Sequence, residues 1–145
     1  MFKFIPIGLA LVALFGCASD AQRADEAFDI YKQTLPEKNA EYGLPPKNYE
    51  KTIKDYLAKS LKDPYSAHYS EFSTPRQEHV IYNKKPVYGY SVCVKVNAKN
   101  SYGAYIGNQV HWFFFKDGQI TRSNNVTAGA TMIYRGRTVN CANGS

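Results

Sequence analysis

Residues 87–97 read Val-Tyr-Gly-Tyr-Ser-Val-Cys-Val-Lys-Val-Asn, in which large apolar residues occupy alternate positions. Successive side chains of a β-strand point to opposite faces, so this pattern predicts a strand with one large apolar face. That face carries Tyr88, Tyr90, Val92, Val94 and Val96, and the opposite face carries Gly89, Ser91 and Cys93. The large face needs another element to cover it.

An amphipathic helix over residues 49–61 is the expected cover. Its apolar residues recur at the helical period of about 3.6 residues, and they are Tyr49, Ile53, Tyr56, Leu57 and Leu61. Asn48 can cap the first turn, and Asp63-Pro64 ends the run.

A second helix is predicted nearer the N-terminus, over residues 21–35. Ser19 and Gln22 have the spacing of a capping box, and Pro36 ends the helical pattern. Residues 36–46 contain three prolines and a glycine, so we interpret them as a connector and expect the folded domain to follow it.

The remaining strands are predicted from alternation after Pro64. They cover residues 67–72, 78–82, 110–116, 119–122 and 132–139. Asn83-Lys84-Lys85 and Asp117-Gly118 are typical of hairpin connections. The strand at 110–116 is apolar on both faces and should be central. We therefore expect an α+β fold with N-terminal helices followed by an antiparallel sheet of four to five strands.

The composition fits one small domain. With 145 residues, of which 44% are hydrophobic, the chain has no room for a multidomain enzyme. No stretch approaches the roughly 20 apolar residues of a membrane-spanning helix. Residues 64–145 carry nine basic and three acidic side chains, so the basic excess lies on the strand-rich half.

The N-terminal residues have the plan of an export signal. Lys3 precedes an apolar run that ends at Phe15, and Gly16 and Cys17 follow. Leu14-Phe15-Gly16-Cys17 resembles the lipobox of bacterial lipoproteins, with Phe15 in place of the usual small residue. This resemblance implies that Cys17 is acylated and becomes the mature N-terminus.

The expected organisation follows from that lipobox. Residues 1–16 form a lipoprotein signal peptide, residues 17–46 a lipid-anchored tether, and residues 47–145 the globular domain. Ala18 and Ser19 follow the cysteine, and lipoproteins that lack aspartate there generally reach the outer membrane. We expect an outer-membrane lipoprotein that faces the periplasm; the alternative is a conventional periplasmic or secreted protein.

Cys93 and Cys141 remain as an even pair in an oxidising compartment, and we predict that they form a disulfide. Closing a loop of about 49 residues stabilises a fold by about 4 kcal/mol in the chain-entropy model. The alternative makes Cys93 a nucleophile paired with His111. That role needs a reduced thiolate beside an orienting group, which no sequence feature supplies.

Two segments carry a family resemblance. They contain Leu61, Asp63, Pro64, Ser66 and Ala67, then Val92, Cys93, Val96, Asn97, Ala98, Lys99, Asn100, Tyr102, Gly103, Tyr105 and Gly107. At these residues the chain resembles a family of small, uncharacterised bacterial exported proteins and lipoproteins. Val94 and Ala104 stand where that family has glycine, and Tyr102 where it has phenylalanine. The resemblance covers residues 61–107 and implies kinship without naming an activity.

The polar, glycine-containing segment at 97–107 is the candidate binding loop. Its candidate binding residues are Asn97, Lys99, Asn100, Tyr102 and Tyr105. A structural role is the alternative: the asparagine amides would bind nearby backbone, Gly103 and Gly107 would adopt positive φ, and the tyrosines would pack on the sheet edge.

Catalytic and cofactor sites are not expected. His68, His79 and His111 have no metal-ligand spacing, and only Glu71, Glu78 and Asp117 supply carboxylates after residue 63. No glycine-rich phosphate loop is present. We therefore predict no metal, no cofactor and no enzymatic activity.

Basic and aromatic residues interleave in the strand-rich half, at Lys95, Lys99, Tyr102, Tyr105, Arg122, Arg135 and Arg137. An exported protein rarely meets nucleic acid. Anionic lipid headgroups, lipopolysaccharide phosphates, peptidoglycan carboxylates and acidic proteins are the alternative partners, and a solvated basic face is the structural alternative.

The sequence predicts a non-catalytic binding or envelope-assembly module attached to the membrane by its N-terminal lipid. An inhibitor of a cell-wall-degrading enzyme and a lipoprotein of a secretion or conjugation system are the alternatives. The order of helices and strands is also similar to that of the accessory lipoprotein of the β-barrel assembly machine, a likeness of fold alone.

Overall fold

A computed structural model of the chain describes residues 19–127, 131–134, 137–139 and 141. The helices are α1 (Asp20–Lys32) and α2 (Tyr49–Leu57). The strands are β1 (Asp63–Ser70), β2 (Arg76–Tyr82), β3 (Lys85–Lys99), β4 (Gln109–Lys116), β5 (Gln119–Asn125), β6 (Thr131–Tyr134) and β7 (Arg137–Val139). Strands β1 to β5 form one antiparallel sheet, which confirms the predicted α+β class. The chain divides into two compact units, one ending at Thr34 and the other starting at Leu35.

The sheet is built around β3, its longest strand. β4 pairs along one edge of β3, and β5 pairs with β4. β2 pairs with the first half of the other edge, and β1 with the second half. Because both are antiparallel to β3, they behave as one long strand with an interruption at residues 71–75. Ser73 bridges the interruption, since its N–H donates to the Cys93 carbonyl at 2.8 Å and its Oγ accepts from the Cys93 N–H at 2.9 Å.

One face of the sheet forms the main hydrophobic core with α2. Ile53 and Leu57 of the helix pack on this face. The strand residues buried beneath them are Val92, Val94, Val96, Phe113 and Phe115. The structure therefore confirms that this helix covers the large face of β3.

The opposite face holds a second buried cluster. Its members are Val80, Cys93, Trp112, Phe114 and Val126, and Cys141 packs against them. Cys93 and Cys141 are joined by a disulfide with their Cα atoms 5.9 Å apart, as the sequence predicts. The bond ties Cys141 to the middle of the central strand. Both faces of β3 and β4 are thus apolar and covered.

The two predicted hairpin connections are confirmed. Asn83 and Lys84 have φ of 48° and 59°, and Asp117 and Gly118 have φ of 49° and 76°. Two-residue turns with positive φ at both positions match the twist of the strands they join. Gly89 is required for another reason, because a Cβ atom there would overlap the Phe115 carbonyl oxygen on β4.

The predicted capping box is confirmed, with the Ser19 N–H donating to the Gln22 side chain at 2.8 Å. The other helix ends differ from the sequence prediction. α1 ends at Lys32 rather than at residue 35, and after its last turn the Thr34 hydroxyl donates to the Tyr31 carbonyl at 2.7 Å. Asn48 precedes α2 with a left-handed φ of 53°, and its side chain makes no cap hydrogen bond, so the predicted capping role is wrong.

The strand limits also differ from the prediction, most of all in β1 and near the C-terminus. β1 starts at Asp63, where the sequence predicts the end of a helix, and α2 ends earlier, at Leu57. The predicted last strand at 132–139 is wrong, because β6 and β7 pair with each other as an antiparallel two-stranded sheet. Gly136 separates them in the sequence, and glycine between two strand-like runs is a hairpin signal that the alternation obscured.

The segment at 36–46 packs on the sheet. The Tyr42 ring meets the Tyr88 ring edge-on with centroids 5.3 Å apart. The Glu37 N–H donates to the Tyr88 hydroxyl at 2.9 Å, and the Tyr90 hydroxyl donates to the Gly43 carbonyl at 3.0 Å. This segment covers the part of the large face that α2 does not reach. The unit that contains the sheet therefore includes the residues predicted to be a connector.

Substituting Ile53 by alanine tests the core that α2 closes. Ile53 is fully buried, so Ile53→Ala should reduce the free energy of unfolding by about 2–5 kcal/mol through lost burial and a residual cavity. Ile30→Ala is the matched control, because Ile30 lies on α1 and is 60% exposed, and it should change stability by less than about 0.5 kcal/mol. Urea denaturation measures both, and equal losses would contradict the assignment.

His111 makes stability depend on pH. Burial lowers the pKa of His111 below its ordinary value. As the pH falls, the His111 side chain of the unfolded chain therefore binds a proton before that of the folded chain does. The free energy of unfolding then decreases as the pH falls below about 6.5. We expect His111→Gln to lose less stability than the native protein when urea denaturation is compared at about pH 7 and about pH 5. Identical losses in the two proteins would refute this role.

Candidate functional site

The segments at 61–67 and 92–107, whose residue pattern stands out in the sequence, meet at one end of the sheet. Asp63 pairs with Lys99 across β1 and β3, and the Lys99 N–H donates to Ser66 Oγ at 2.9 Å. Ser66 is itself held by Asp63, whose Oδ1 accepts from the Ser66 N–H at 3.2 Å and whose carbonyl accepts from the Ser66 hydroxyl at 2.8 Å. We call this end of the sheet, made of residues 63–66 and 99–107, the tip.

A bulge in β1 shapes the first half of the tip. The pairing passes from Asp63 opposite Lys99 to His68 opposite Asn97, so residues 64–67 stand opposite Ala98 alone. The extra residues leave the ladder, and Tyr65 projects from them with its side chain fully exposed.

Asn100 orders the second half of the tip. Its Oδ1 accepts from the Tyr102 N–H at 2.9 Å and from the Ala104 N–H at 3.2 Å. Its backbone N–H donates to the Ala104 carbonyl at 2.9 Å. Gly103 has a φ of 79°, as expected for this turn, and Gly107 one of 84°. The predicted structural role of Asn100 and of both glycines is therefore confirmed.

Tyr105 joins the loop to β1. Its hydroxyl lies 3.1 Å from His68 Nε2, and the two rings are 5.6 Å apart. Lys99 Nζ lies over the Tyr105 ring at 5.5 Å from its centroid, within the range of a cation–π contact. Tyr105 packs at the sheet edge, as the structural alternative predicted, and leaves about half of its side chain exposed.

The outward side of the tip is aromatic and apolar. Tyr65 is 100% exposed, Tyr102 is 94% exposed, and Ile106 is more than half exposed. Tyr65 and Ile106 belong to this surface, although the residue pattern does not predict them as candidate binding residues. A bulge has no strong sequence signal, and Asp63-Pro64 indicates the end of a helix rather than a projecting segment. Tyr102 does not pack on the sheet edge.

Asn97 has a different environment from Asn100. It lies on β3 opposite His68, below the loop, and its side chain is partly buried. Its Oδ1 is buried and has no hydrogen-bond partner among the described residues. The structure therefore does not show the predicted bond from this amide oxygen to the backbone.

The predicted basic residues do not form one patch with the loop. Lys95 is ion-paired with Glu71 at 2.5 Å. Arg122 pairs with Phe114 in the β4–β5 ladder, and Lys99 alone among the described cations of that set lies at the tip. Arg135 and the side chain of Arg137 lie outside the described residues.

The alternative catalytic pair has no suitable geometry. Cys93 is in a disulfide and faces the Trp112 side of the sheet. His111 is the cross-strand partner of Val94, so it points to the opposite face. The Cys93–His111 nucleophile is therefore wrong. Across the described residues, no group of three or more His, Cys, Asp or Glu side chains could hold a metal ion.

Two further features lie away from the tip. Glu78 and His79 are adjacent buried residues of β2, with 3.9 Å between Glu78 Oε1 and His79 Nδ1. An open depression of about 470 Å³ lies at the start of α2, beside Asn48, Lys51 and Lys54. Lys51 is ion-paired with Asp55 at 2.6 Å there.

Cys17 precedes the first described residue, so the lipidation site predicted there lies outside the described residues. Among those residues, no helix combines the length and the apolar character needed to cross a membrane. Comparisons of the chain with models of protein families, with curated proteins and with solved structures give no match.

Asn100 and Tyr102 should respond differently to substitution. Asn100→Ala leaves two loop N–H groups without their acceptor and should lower the free energy of unfolding by about 1–2 kcal/mol. Tyr102→Ala removes an almost fully exposed side chain and should change it by less than about 0.5 kcal/mol. Asn100→Asp keeps an acceptor oxygen and is the conservative control. Urea denaturation measures all three, and a larger loss for Tyr102→Ala would show that Tyr102 is structural.

Proposed function

We propose that the protein is an outer-membrane-anchored periplasmic lipoprotein that acts as a non-catalytic binding or envelope-assembly module. Cys17 carries the lipid, and the tip is the surface that meets the partner. One observation carries the binding role: Tyr65 and Tyr102 are almost completely exposed on a backbone that Ser66 and Asn100 hold in place. A backbone that is already ordered lowers the entropic cost of binding through the side chains it carries.

The disulfide supports the proposed compartment. Bonds of this kind persist in oxidising spaces such as the bacterial periplasm and are rare in the cytosol. Cys93 is also taken up by this bond, so it supplies no free thiol for catalysis. The three cysteines then have separate roles, one for the lipid and two for the fold.

The projecting loop also favours a second candidate function, inhibition of a cell-wall-degrading enzyme. An inhibitor needs an ordered loop that can enter a cleft, and the internal hydrogen bonds of Asn100 hold residues 100–104 in that manner. This function uses the same surface with a protein partner.

Intact mass of the protein purified from bacterial membranes tests the anchor and the disulfide. We expect cleavage before Cys17, added acyl mass, and a gain of two hydrogen atoms on reduction. Cys17→Ser should lack the acyl mass and keep the gain on reduction. An unacylated soluble product with free thiols at Cys93 and Cys141 would contradict the proposed function.

A further inference from the structure

We propose that the tip is a contact site for the interface of a lipid bilayer that carries anionic headgroups. The inference rests on the proposed function in taking the tip as the interaction surface. It does not require Cys17 to be acylated, because the contact is made by the folded sheet.

The composition of the outward surface fits a bilayer interface. Tyr65, Tyr102 and Ile106 present most of their apolar surface to solvent. Tyrosine combines an apolar ring with a polar hydroxyl, and for that reason it is enriched at the level of lipid headgroups. These side chains can enter the headgroup region with their hydroxyls still hydrated.

Three polar side chains of the tip already have hydrogen-bond partners within the protein. Asn100 Oδ1 accepts from two loop N–H groups, the Ser66 hydroxyl links Asp63 to Lys99, and the Tyr105 hydroxyl bonds to His68. A glycan is recognised largely through hydrogen bonds to its hydroxyls, and these three side chains would have to give up their present partners to supply them. A lipid interface makes no such demand, because apolar contact and charge are sufficient.

The charges near the tip favour an anionic surface. Lys99 lies above the Tyr105 ring, and Lys62 is exposed beside the bulge. Asp63 is the one acidic residue in this part of the sequence, and its carboxylate accepts the Ser66 N–H. The two lysines outnumber it, and an excess of positive charge attracts the tip to anionic headgroups.

The shape of the tip points the same way. Small molecules bind in concave sites, where side chains converge. Tyr65 and Tyr102 instead project, and a Cβ atom added at Gly103 or Gly107 would meet no atom within 4 Å. One open depression among the described residues lies away from the tip, at the start of α2. A projecting aromatic surface suits a soft, extended partner.

Depth-dependent quenching of a tryptophan at the tip tests the proposal. Full-length Tyr102→Trp protein is reconstituted into vesicles of phosphatidylcholine, with or without phosphatidylglycerol, that contain brominated lipid. Tyr82→Trp is the matched control, since Tyr82 is 68% exposed and pairs with Lys85 at the other end of β3. At about 3.3 Å per residue, the two ends of β3 are roughly 45 Å apart. Trp112 is fully buried, and the unsubstituted protein supplies its background signal.

We expect several-fold stronger quenching at position 102 than at position 82, with a blue shift of emission, in vesicles that contain phosphatidylglycerol. Lys99→Gln in the Tyr102→Trp protein should reduce the quenching in those vesicles only. Urea denaturation of each variant shows whether the fold is kept. The proposal is overturned if quenching at position 102 is no greater than at position 82, or if it is the same with and without phosphatidylglycerol. A protein or a glycan would then be the partner of the tip.

The result is separable from the test of the proposed function. A protein without acyl mass at Cys17 whose tip is still quenched refutes the lipid anchor and supports the tip contact. An acylated protein whose tip is not quenched refutes the tip contact and leaves the anchor in place.

Discussion

The pairing of β3 with β4 is the interaction on which the rest of this structure depends. Val92 opposite Phe113 supplies the core beneath α2, and Cys93 opposite Trp112 supplies the core on the other face. Two neighbouring strands that are apolar on both faces must be covered on both sides. The helix α2 and the segment at 36–46 cover one side, and the disulfide holds Cys141 against the other. These elements bury the two apolar faces of the β3–β4 pair.

The tip is a consequence of how far β3 extends. β4 pairs with β3 only up to Val96, whereas β3 continues to Lys99 and is accompanied there by β1. Past Val96 no β4 residue pairs with β3, and Tyr65 and Tyr102 of the tip face solvent. The local order comes from hydrogen bonds of Ser66 and Asn100 instead of from burial. A surface of this kind can change its outward side chains with little effect on the core, which suits a binding role.

Much of the fold could be predicted from the sequence because it rests on local signals. β3 is predicted by alternation of apolar residues, and α2 by apolar residues at the helical period. The turns at Asn83-Lys84 and Asp117-Gly118 are predicted by residues that tolerate positive φ. The missed features depend on tertiary contacts. Tyr42 packs on Tyr88 across a long sequence separation, and Tyr65 is exposed because of a bulge in the β1–β3 register. Asn100 was correctly assigned to the loop backbone, whereas Asn97 was not, since its position in β3 places it under the loop.

The arrangement of β1, β2 and β3 as one long hairpin also concerns the order of assembly. Its closed end is the turn at Asn83-Lys84, where the strands are joined by two residues, and pairing can extend from there with a small loop-closure cost at each step. The tip is the open end of that hairpin, where strands fray most easily. The hydrogen bonds between Ser66 and Lys99 and between Asn100 and its own loop therefore stabilise the end of the hairpin at which strand separation would otherwise begin.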